Sequence, residues 1–234
     1  MGEARKHALV FGAAGSLGGA VAEAFVREGY VVSAFDRDRT LLGRRLGGET
    51  GVLSFHGCDL RDARDTASAI KGVIASAGAP DSVCHATGGF EMGEAVHEIS
   101  TDGWMRMMAI NAESFLNVAK SVIPPMRAAG GGSVVAVGAM GAQGGAPGMG
   151  AYAASKRALQ ALVEAMADEQ RDRGIRVNAV LPSIIDTPAN RASMPDADCS
   201  RWVSPRDLAS VVLFLASNAA RAVNGAAIPV RHLA

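Results

Sequence analysis

Residues 8–25 read ALVFGAAGSLGGAVAEAF. Four apolar residues precede spaced glycines, and small and apolar residues then recur at helical spacing. This order predicts a β-strand, a tight turn and an α-helix, because glycine permits the turn and lets the backbone approach a diphosphate. Free amide groups at the helix start would meet the negative charge. The residues predicted to cradle the diphosphate are Gly12, Ala14, Gly15, Ser16, Leu17 and Gly18.

An aspartate ends the next apolar run. Residues 30–35 read YVVSAF and lead into Asp36. A carboxylate there is well placed to accept hydrogen bonds from both ribose hydroxyls of an adenosine. This favours NAD over NADP, because a 2′-phosphate would meet like charge, although Arg37 would offset part of the repulsion. The alternative is an ordinary strand, turn and helix with a surface acid, but all the elements occur in the expected order.

Tyr152 precedes Lys156 by four residues, in the stretch AYAASK at 151–156. That spacing puts a phenol and an ammonium group on one helix face. A phenol with its usual pKa of about 10 is a reluctant acid or base, and a nearby lysine charge brings the pKa closer to neutral. The alternative is a solvated tyrosine beside a solvated lysine, the ordinary case for so short a pattern. The glycine-rich segment favours the catalytic interpretation.

Length and composition indicate one enzyme-sized domain over residues 1–234, because 49% hydrophobic residues can build a large core. The formal net charge is zero, and no basic patch indicates a nucleic-acid partner. The first apolar run is too short to span a membrane and continues into the glycine loop. We therefore expect no membrane association, no removable signal and a cytoplasmic location.

The cysteines and histidines predict no metal site. Cys58, Cys84 and Cys199 form no CxxC pair, which also argues against a disulfide framework. His85 and His97 have no second ligand at useful helical spacing.

Strand-like runs alternate with helical stretches along the rest of the chain. The later strand candidates are residues 52–55, 82–85, 133–137, 177–181 and 226–230. This alternation predicts an α/β fold, a single doubly wound Rossmann-type domain with a mainly parallel sheet and helices on both faces. Its ligands should bind beyond the carboxyl ends of the strands. There the glycine loop, Asp59 and residues 87–89, 138–140 and 182–187 should share one crevice.

Two loops are predicted to wall a substrate pocket. Residues at about 139–150 are glycine-rich and precede Tyr152, and residues at about 184–204 are long and irregular, as expected of a lid. A flexible connector and an ordinary surface excursion are the alternatives. Methionines and aromatic residues are more often core, so their place on active-site loops is what favours the pocket. The predicted substrate contacts are Phe90, Ala139, Met140, Met149, Met194 and Trp202.

The chain resembles the short-chain dehydrogenase/reductase family over essentially its whole length. The resemblance joins several motifs in family order and spacing. These are the glycine loop, Asp36, Cys58-Asp59-Leu60, Asn111, the Tyr152 and Lys156 pair, and Pro182-Ser183-Ile184-Ile185-Asp186-Thr187. It implies an oxidoreductase that transfers hydride between a nicotinamide cofactor and a small-molecule substrate.

The resemblance also implies a role for each motif residue. Tyr152 would donate or accept the proton, Lys156 would lower its pKa and bind the nicotinamide ribose, and Asn111 would help to hold a water-linked proton relay. Asp59 would meet the adenine. The other cofactor contacts implied are Leu60, Ala86, Thr87, Gly88, Pro182, Ser183, Ile185 and Thr187.

Two positions depart from the family pattern. The family usually has a serine thirteen residues before the tyrosine, but Ala139 stands there. Loss of one such preorganised hydrogen bond costs roughly 3 kcal/mol of transition-state stabilisation, which argues against an ordinary alcohol dehydrogenase mechanism. Ser16 replaces the middle glycine of the common loop, with Gly15 one place earlier. A serine at a helix start can donate its hydroxyl as well as its amide, so phosphate binding should survive.

These departures resemble the branch of the family that contains dihydropteridine reductases, as do Gly88-Gly89-Phe90 and the lid from 181 to 198 followed by Trp202. A quinonoid dihydropterin is an activated, imine-like acceptor whose reduction needs less help from a serine. Asn111 and residues 151–156 look more like the general family, so a carbonyl reductase or hydroxy-dehydrogenase is the alternative. A non-catalytic NAD-binding sensor is a third interpretation, since a sensor needs only the glycine loop and Asp36.

A stripe of alanines suggests close helix packing. Ala154, Ala158, Ala161 and Ala165 fall on one face of the helix that carries Tyr152. The surface packed against them would be the sheet or another subunit. The family resemblance favours a homodimer or homotetramer built on this helix and the one that holds Asn111.

Overall fold

The computed structural model describes residues 5–233, in which strands and helices alternate. The strands are β1 (His7–Phe11), β2 (Val31–Asp36), β3 (Leu53–Gly57), β4 (Ser82–His85), β5 (Gly132–Val137), β6 (Ile175–Pro182) and β7 (Ala227–Val230). The helices are α1 (Ser16–Arg27), α2 (Arg39–Leu46), α3 (Ala63–Ala77), α4 (Thr101–Met108), α5 (Ser114–Ala128), α6 (Gly150–Gln170), α7 (Pro188–Ser193) and α8 (Pro205–Ala216). A π turn (Ala109–Glu113) joins α4 to α5.

The strands form one sheet in the order β3-β2-β1-β4-β5-β6-β7, and every neighbouring pair is parallel. This confirms the predicted doubly wound fold, and the later strands lie within two residues of their predicted ends. The chain reverses its direction of travel across the sheet between β1 and β4. A crevice opens beyond the carboxyl ends of the strands at such a switch point.

The core lies on both faces of the sheet. Along β1, Ala8 and Val10 point into one apolar cluster, and Leu9 and Phe11 point into the other. The first cluster packs against α1, α2 and α8, and the second against α3, α5 and α6. Strands that are buried on both faces appear in the sequence as continuous apolar runs. The strands could therefore be predicted from the sequence.

The alanine stripe of α6 does not face the sheet. Leu159 and Val163 fill that role and are buried in the second cluster. Ala154 and Ala158 are half-buried, whereas Ala161 and Ala165 are exposed. Of the two partners expected for the stripe, the sheet is therefore excluded. Assembly through this face stays a prediction.

His85, the last residue of β4, is 0% exposed. Its Nε2 lies 3.1 Å from the Ser114 hydroxyl, which donates its own proton to the Ile110 carbonyl at 2.7 Å. Nε2 must therefore carry the imidazole proton, and Nδ1 has no hydrogen-bond partner within residues 5–233. Burial, assisted by the charge of Lys156, lowers the pKa of His85 to about 3.

We predict that His85 makes the protein sensitive to mild acid. The folded-state pKa is below the unfolded value of about 6.5, so the unfolded chain binds more protons between these values and stability is lost as the pH falls below about 6.5. His85 alone should lower the free energy of unfolding by about 2 kcal/mol between pH 7.5 and pH 5. Urea unfolding at the two pH values measures this difference.

His85→Asn should reduce the difference measured in the wild-type protein by about 2 kcal/mol, because asparagine does not titrate in this range. His7 and His56, whose pKa values are also lowered by burial, contribute to the difference that remains. The exposed His97 supplies the matched control, and His97→Asn should leave the difference unchanged. If the free energy of unfolding of His85→Asn depended on pH as in the wild-type protein, the role assigned to His85 would be contradicted.

Candidate active site

The glycine loop between β1 and α1 has no room for a side chain at Gly12 or at Gly18. Gly12 has φ +78°, and a Cβ there would lie 2.9 Å from the Thr87 amide nitrogen. A Cβ on Gly18 would lie 2.1 Å from the Gly12 carbonyl oxygen. The Gly12 amide donates to the Phe35 carbonyl at 2.9 Å, which ties the loop to β2. The loop therefore brings bare backbone to the carboxyl end of the sheet.

Helix α1 begins directly after this loop, with Gly15 as its N-cap. No side chain among the described residues caps its first amide groups. Uncapped amides at a helix start form an anion site when they lie in a cleft. This arrangement fits the diphosphate of a dinucleotide.

Asp36 ends β2 directly opposite the loop. Its carboxylate accepts hydrogen bonds from the Ala14 amide at 3.1 Å and from the Arg37 amide at 2.8 Å. The acid is therefore held beside the expected diphosphate site, where an adenosine ribose would lie. Its position agrees with the prediction made from its place after the second strand.

A cleft of about 460 Å³ joins many of the predicted cofactor residues. Its lining includes Gly12, Gly15, Asp36, Arg37, Asp59, Leu60, Ala86, Thr87 and Gly88. These residues come from the ends of β1, β2, β3 and β4. A dinucleotide of the NAD(P) type fits them, because bare backbone, an acid after β2 and the segment after β3 share one surface.

Arg61 is a cleft residue that the sequence motifs did not single out. The Asp59 carboxylate accepts from the Arg61 Nε at 2.9 Å and from its Nη2 at 2.6 Å. This guanidinium holds the pKa of Asp59 below its usual value. The adenosine end of the cleft thus carries Arg37 and Arg61 as well as the two acids. An aspartate two residues before an arginine was the only sequence signal.

Asn111 lies in the π turn and is fully buried. Its Oδ1 accepts from the Gly89 amide at 3.0 Å, and its Nδ2 donates to the Gly89 carbonyl and to the Ser155 hydroxyl, each at 3.0 Å. The side chain therefore clamps the segment after β4 to α6. A water relay at this position would have to use the Asn111 backbone carbonyl, and that role stays a prediction.

Lys156 is buried beside this clamp. Its Nζ donates to the Val137 carbonyl at 2.9 Å, and burial lowers its pKa to about 8. A Cβ on Gly88 would lie 2.9 Å from both Lys156 Nζ and Asn111 Oδ1. Glycine at 88 thus leaves open the space that the ammonium group and the amide both border. At neutral pH the lysine carries its charge.

Tyr152 occupies the first turn of α6 and is half-buried. Burial raises its pKa, whereas the sequence argument expected Lys156 to lower it. That expectation was wrong for this structure, because the phenolate would lose hydration while the ammonium group is turned to the Val137 carbonyl. The Phe90 ring, which lines the cleft, meets the Tyr152 ring edge-on with centroids 4.8 Å apart.

The predicted substrate residues separate into two groups. Phe90 is 55% exposed in the cleft, and Met149 and Met194 are half-buried on their loops. Ala139 is buried at the end of β5, and Met140 packs against the core. Trp202 is only 6% exposed, which favours the core alternative for this residue, and its contact with a substrate stays a prediction.

The segment predicted as an irregular lid is partly ordered by its own contacts. The Thr187 hydroxyl accepts from the Asn190 amide at 3.1 Å and caps α7. Ile185 pairs with Val203, and the Ser183 hydroxyl donates to the Arg231 carbonyl at 3.3 Å. Residues 182–187 therefore lie at the end of β6, outside the set that lines the cleft.

Within residues 5–233, no helix is long and apolar enough to cross a membrane. The same residues contain no group of three or more side chains placed to hold a metal ion.

Comparison with known proteins gives a consistent result. A family model described as enoyl-(acyl carrier protein) reductase matches residues 12–231. The chain is 31% identical to D-threitol dehydrogenase of Mycolicibacterium smegmatis, covering 94% of this chain and 89% of the relative. It is 29% identical to 2,5-dichloro-2,5-cyclohexadiene-1,4-diol dehydrogenase of Sphingobium indicum, covering 97% and 95% of the two chains.

The fold is similar to that of a short-chain type dehydrogenase/reductase from Mycobacterium ulcerans. The TM-score is 0.90 at 28% identity, over 96% of this chain and 88% of the other. The narrower resemblance to dihydropteridine reductases gains no support from these proteins, since the curated relatives are named for other substrates.

We predict that Gly18→Ala weakens NADH binding at least tenfold, because the added methyl group must displace the Gly12 carbonyl and the loop that would hold the diphosphate. NADH fluorescence titration measures the dissociation constant. Gly72→Ala on α3 is the matched control, since its methyl group meets open space. Unchanged affinity in Gly18→Ala would show that the dinucleotide does not use this loop.

Proposed function

Because this chain belongs to the short-chain dehydrogenase/reductase family of oxidoreductases, we propose that it is an NAD(H)-dependent enzyme that interconverts a secondary alcohol and its ketone. The observation that carries the proposal is that α6 carries both Tyr152 and, one turn later, the buried and charged Lys156, beside a cleft whose lining fits a dinucleotide. A scaffold that only bound the cofactor would not need a proton-donating phenol one turn before that lysine.

Bound nicotinamide would supply a hydride to the carbonyl carbon, or accept one in the reverse direction. The residues of this chain account for the proton. In reduction the Tyr152 hydroxyl gives its proton to the carbonyl oxygen, so ketone, NADH and one proton become alcohol and NAD⁺. The raised pKa of Tyr152 keeps the phenol protonated at neutral pH, which suits a proton donor. The Lys156 charge would stabilise the phenolate left behind.

The preference for NAD over NADP rests on Asp36. Its carboxylate is held by the Ala14 amide beside the glycine loop, where a 2′-phosphate would meet its negative charge. Arg37 and Arg61 line the same end of the cleft and reduce that repulsion. The side chain of Arg61 is committed to Asp59, however, which leaves Asp36 as the dominant charge at the ribose.

A secondary alcohol or ketone is the favoured substrate, because the relatives reported above are named for alcohols. Reduction of a quinonoid dihydropterin is a second candidate. The observation that favours it is Ala139, a buried methyl group where the family usually has a serine hydroxyl. A sensor that binds NAD without turnover is disfavoured by the presence of both Tyr152 and Lys156.

We also propose that residues 1–234 form one domain and that the protein works in the cytoplasm as a homodimer or homotetramer. Cys58 and Cys84 are buried free thiols, in keeping with a reducing compartment. The half-buried and exposed alanines of α6 supply a face on which another subunit could pack closely.

We predict that Tyr152→Phe leaves the NADH dissociation constant nearly unchanged and lowers kcat at least a hundredfold, because the ring remains and only the proton donor is lost. The measurement is NADH consumption with a panel of ketones, quinones and quinonoid dihydropterin. Tyr30→Phe is the matched control, since Tyr30 packs against Phe25 in the core.

Each outcome of that panel has a meaning. Turnover of ketones that depends on Tyr152 supports the main proposal, and turnover confined to the dihydropterin supports the second candidate. NADH binding without turnover of any compound would support the sensor. Full activity in Tyr152→Phe would remove this residue from its proposed role.

We predict that Asp36→Ala lowers the preference for NADH over NADPH at least tenfold, measured as the ratio of the two kcat/KM values. Asp36→Asn separates charge from shape, because it retains an oxygen that can accept from the Ala14 amide. Both variants should lose the preference if charge is its cause. A wild-type enzyme that already prefers NADPH would contradict the argument.

A further inference from the structure

A second cavity adjoins the cofactor cleft and has no role in the reaction described so far. It has a volume of about 450 Å³ and shares Phe90, Glu91, Arg106 and Met107 with the cleft. Ala151, the neighbour of Tyr152, also lines it. We call this cavity the distal compartment. Because it continues the cleft beside the tyrosine, the part of a substrate remote from the reacting carbon would enter it.

The compartment contains a forked ion pair. The Arg106 Nε lies 3.2 Å from Glu91 Oε1, and the Arg106 Nη2 lies 3.1 Å from Glu91 Oε2. Both side chains are about half exposed, so the pair presents a hydrogen-bond acceptor and donors to the cavity. Glu91 comes from the segment after β4 and Arg106 from α4.

A second carboxylate makes the compartment negative. A Cβ on Gly103 would lie 3.5 Å from Glu94 Oε2 and 3.7 Å from Arg106 Nη2, so both charged groups flank this glycine. The lining thus has two carboxylates and one guanidinium, which leaves an excess of one negative charge. Asp102 is a further acid close enough to favour the charged form of Arg106.

The remaining wall is apolar and fixed in place. Phe90 packs on Tyr152, and Met107 is buried beneath the segment after β4. The Gly93 amide donates to the Gly148 carbonyl at 2.9 Å, which joins this segment to the loop at 139–150. A carbon skeleton could lie on the apolar side with its polar groups toward Glu91 and Arg106.

We propose that the distal compartment binds the remote hydroxyl group of a neutral diol or polyol through Glu91 and Arg106, and that it disfavours substrates whose remote group is an anion. A hydroxyl group can donate to the carboxylate and accept from the guanidinium at once. An anion can only accept, and it would face the excess negative charge. This inference rests on the proposed function and deepens it by naming the substrate class.

The test compares two compounds that differ only in the remote group. The probes are cis-cyclohexane-1,4-diol and cis-4-hydroxycyclohexane-1-carboxylate, each oxidised with NAD⁺ by the wild-type protein. The diol should have a kcat/KM at least tenfold higher than that of the carboxylate. The difference should shrink as ionic strength rises, because salt screens charges in a partly exposed cavity.

Three variants tie the preference to these charges. Glu94→Gln should raise the ratio of carboxylate to diol activity roughly fivefold, because it removes the excess negative charge. Glu91→Gln should also raise that ratio, since it frees the Arg106 guanidinium, and it should raise KM for the diol. Arg106→Gln should shift the ratio the other way. Glu98→Gln is the matched control, an exposed acid of the same segment outside the compartment.

Opposite shifts for acidic and basic variants would not arise from a merely structural role. Equal activity on the two probes, preference for the carboxylate, or unshifted ratios in the variants would each overturn the inference. If neither probe were turned over but ketones were reduced in a Tyr152-dependent reaction, the inference would be overturned and the proposed function would stand. Absence of turnover with every compound, despite NADH binding, would overturn the proposed function as well.

Discussion

A single buried ammonium group is the constraint on which this site depends. Lys156 reaches the Val137 carbonyl through a space that exists because residue 88 has no side chain, and Asn111 closes the same space from the π turn. Charge in a protein interior is tolerated only where hydrogen bonds replace lost hydration. The end of β5, the turn after β4 and the π turn must therefore keep their mutual positions, since a shift in any of them would leave the charge unsatisfied.

The proton chemistry follows from a competition at Tyr152. Burial opposes ionisation of the phenol, and a positive charge nearby favours it. In this structure burial prevails, because the Lys156 charge is bound to a backbone carbonyl on the sheet side. In the proposed reaction the tyrosine would give a proton, and the lysine charge would matter only once negative charge begins to form on the phenol. The pair would then stabilise the transition state more than the resting enzyme, as catalysis requires.

What the sequence could predict is what local geometry demands. The roles of Gly12 and Gly18 could be predicted because close backbone contacts permit no other residue there. The strands could be predicted because both of their faces are buried in apolar clusters. Burial of Trp202 could not be predicted, because a lid residue and a core residue look alike in sequence until tertiary packing is known. The ion pair of Glu91 with Arg106 could not be predicted for a similar reason, because only the fold brings the segment after β4 beside α4.

The missing hydroxyl at Ala139 and the distal compartment both concern how the transition state would be stabilised. Without a serine to hold the carbonyl oxygen, roughly 3 kcal/mol of transition-state stabilisation must come from elsewhere or be forgone. Contacts to a remote part of the substrate can supply it, because binding energy far from the reacting atoms can hold them in the reactive geometry. The Gly93 to Gly148 hydrogen bond joins the segment that carries Glu91 to the loop that begins at Ala139. A hydroxyl group held at Glu91 would therefore help to position the reacting carbon next to Tyr152. Such an enzyme should discriminate among substrates by their remote group more than by the carbonyl itself.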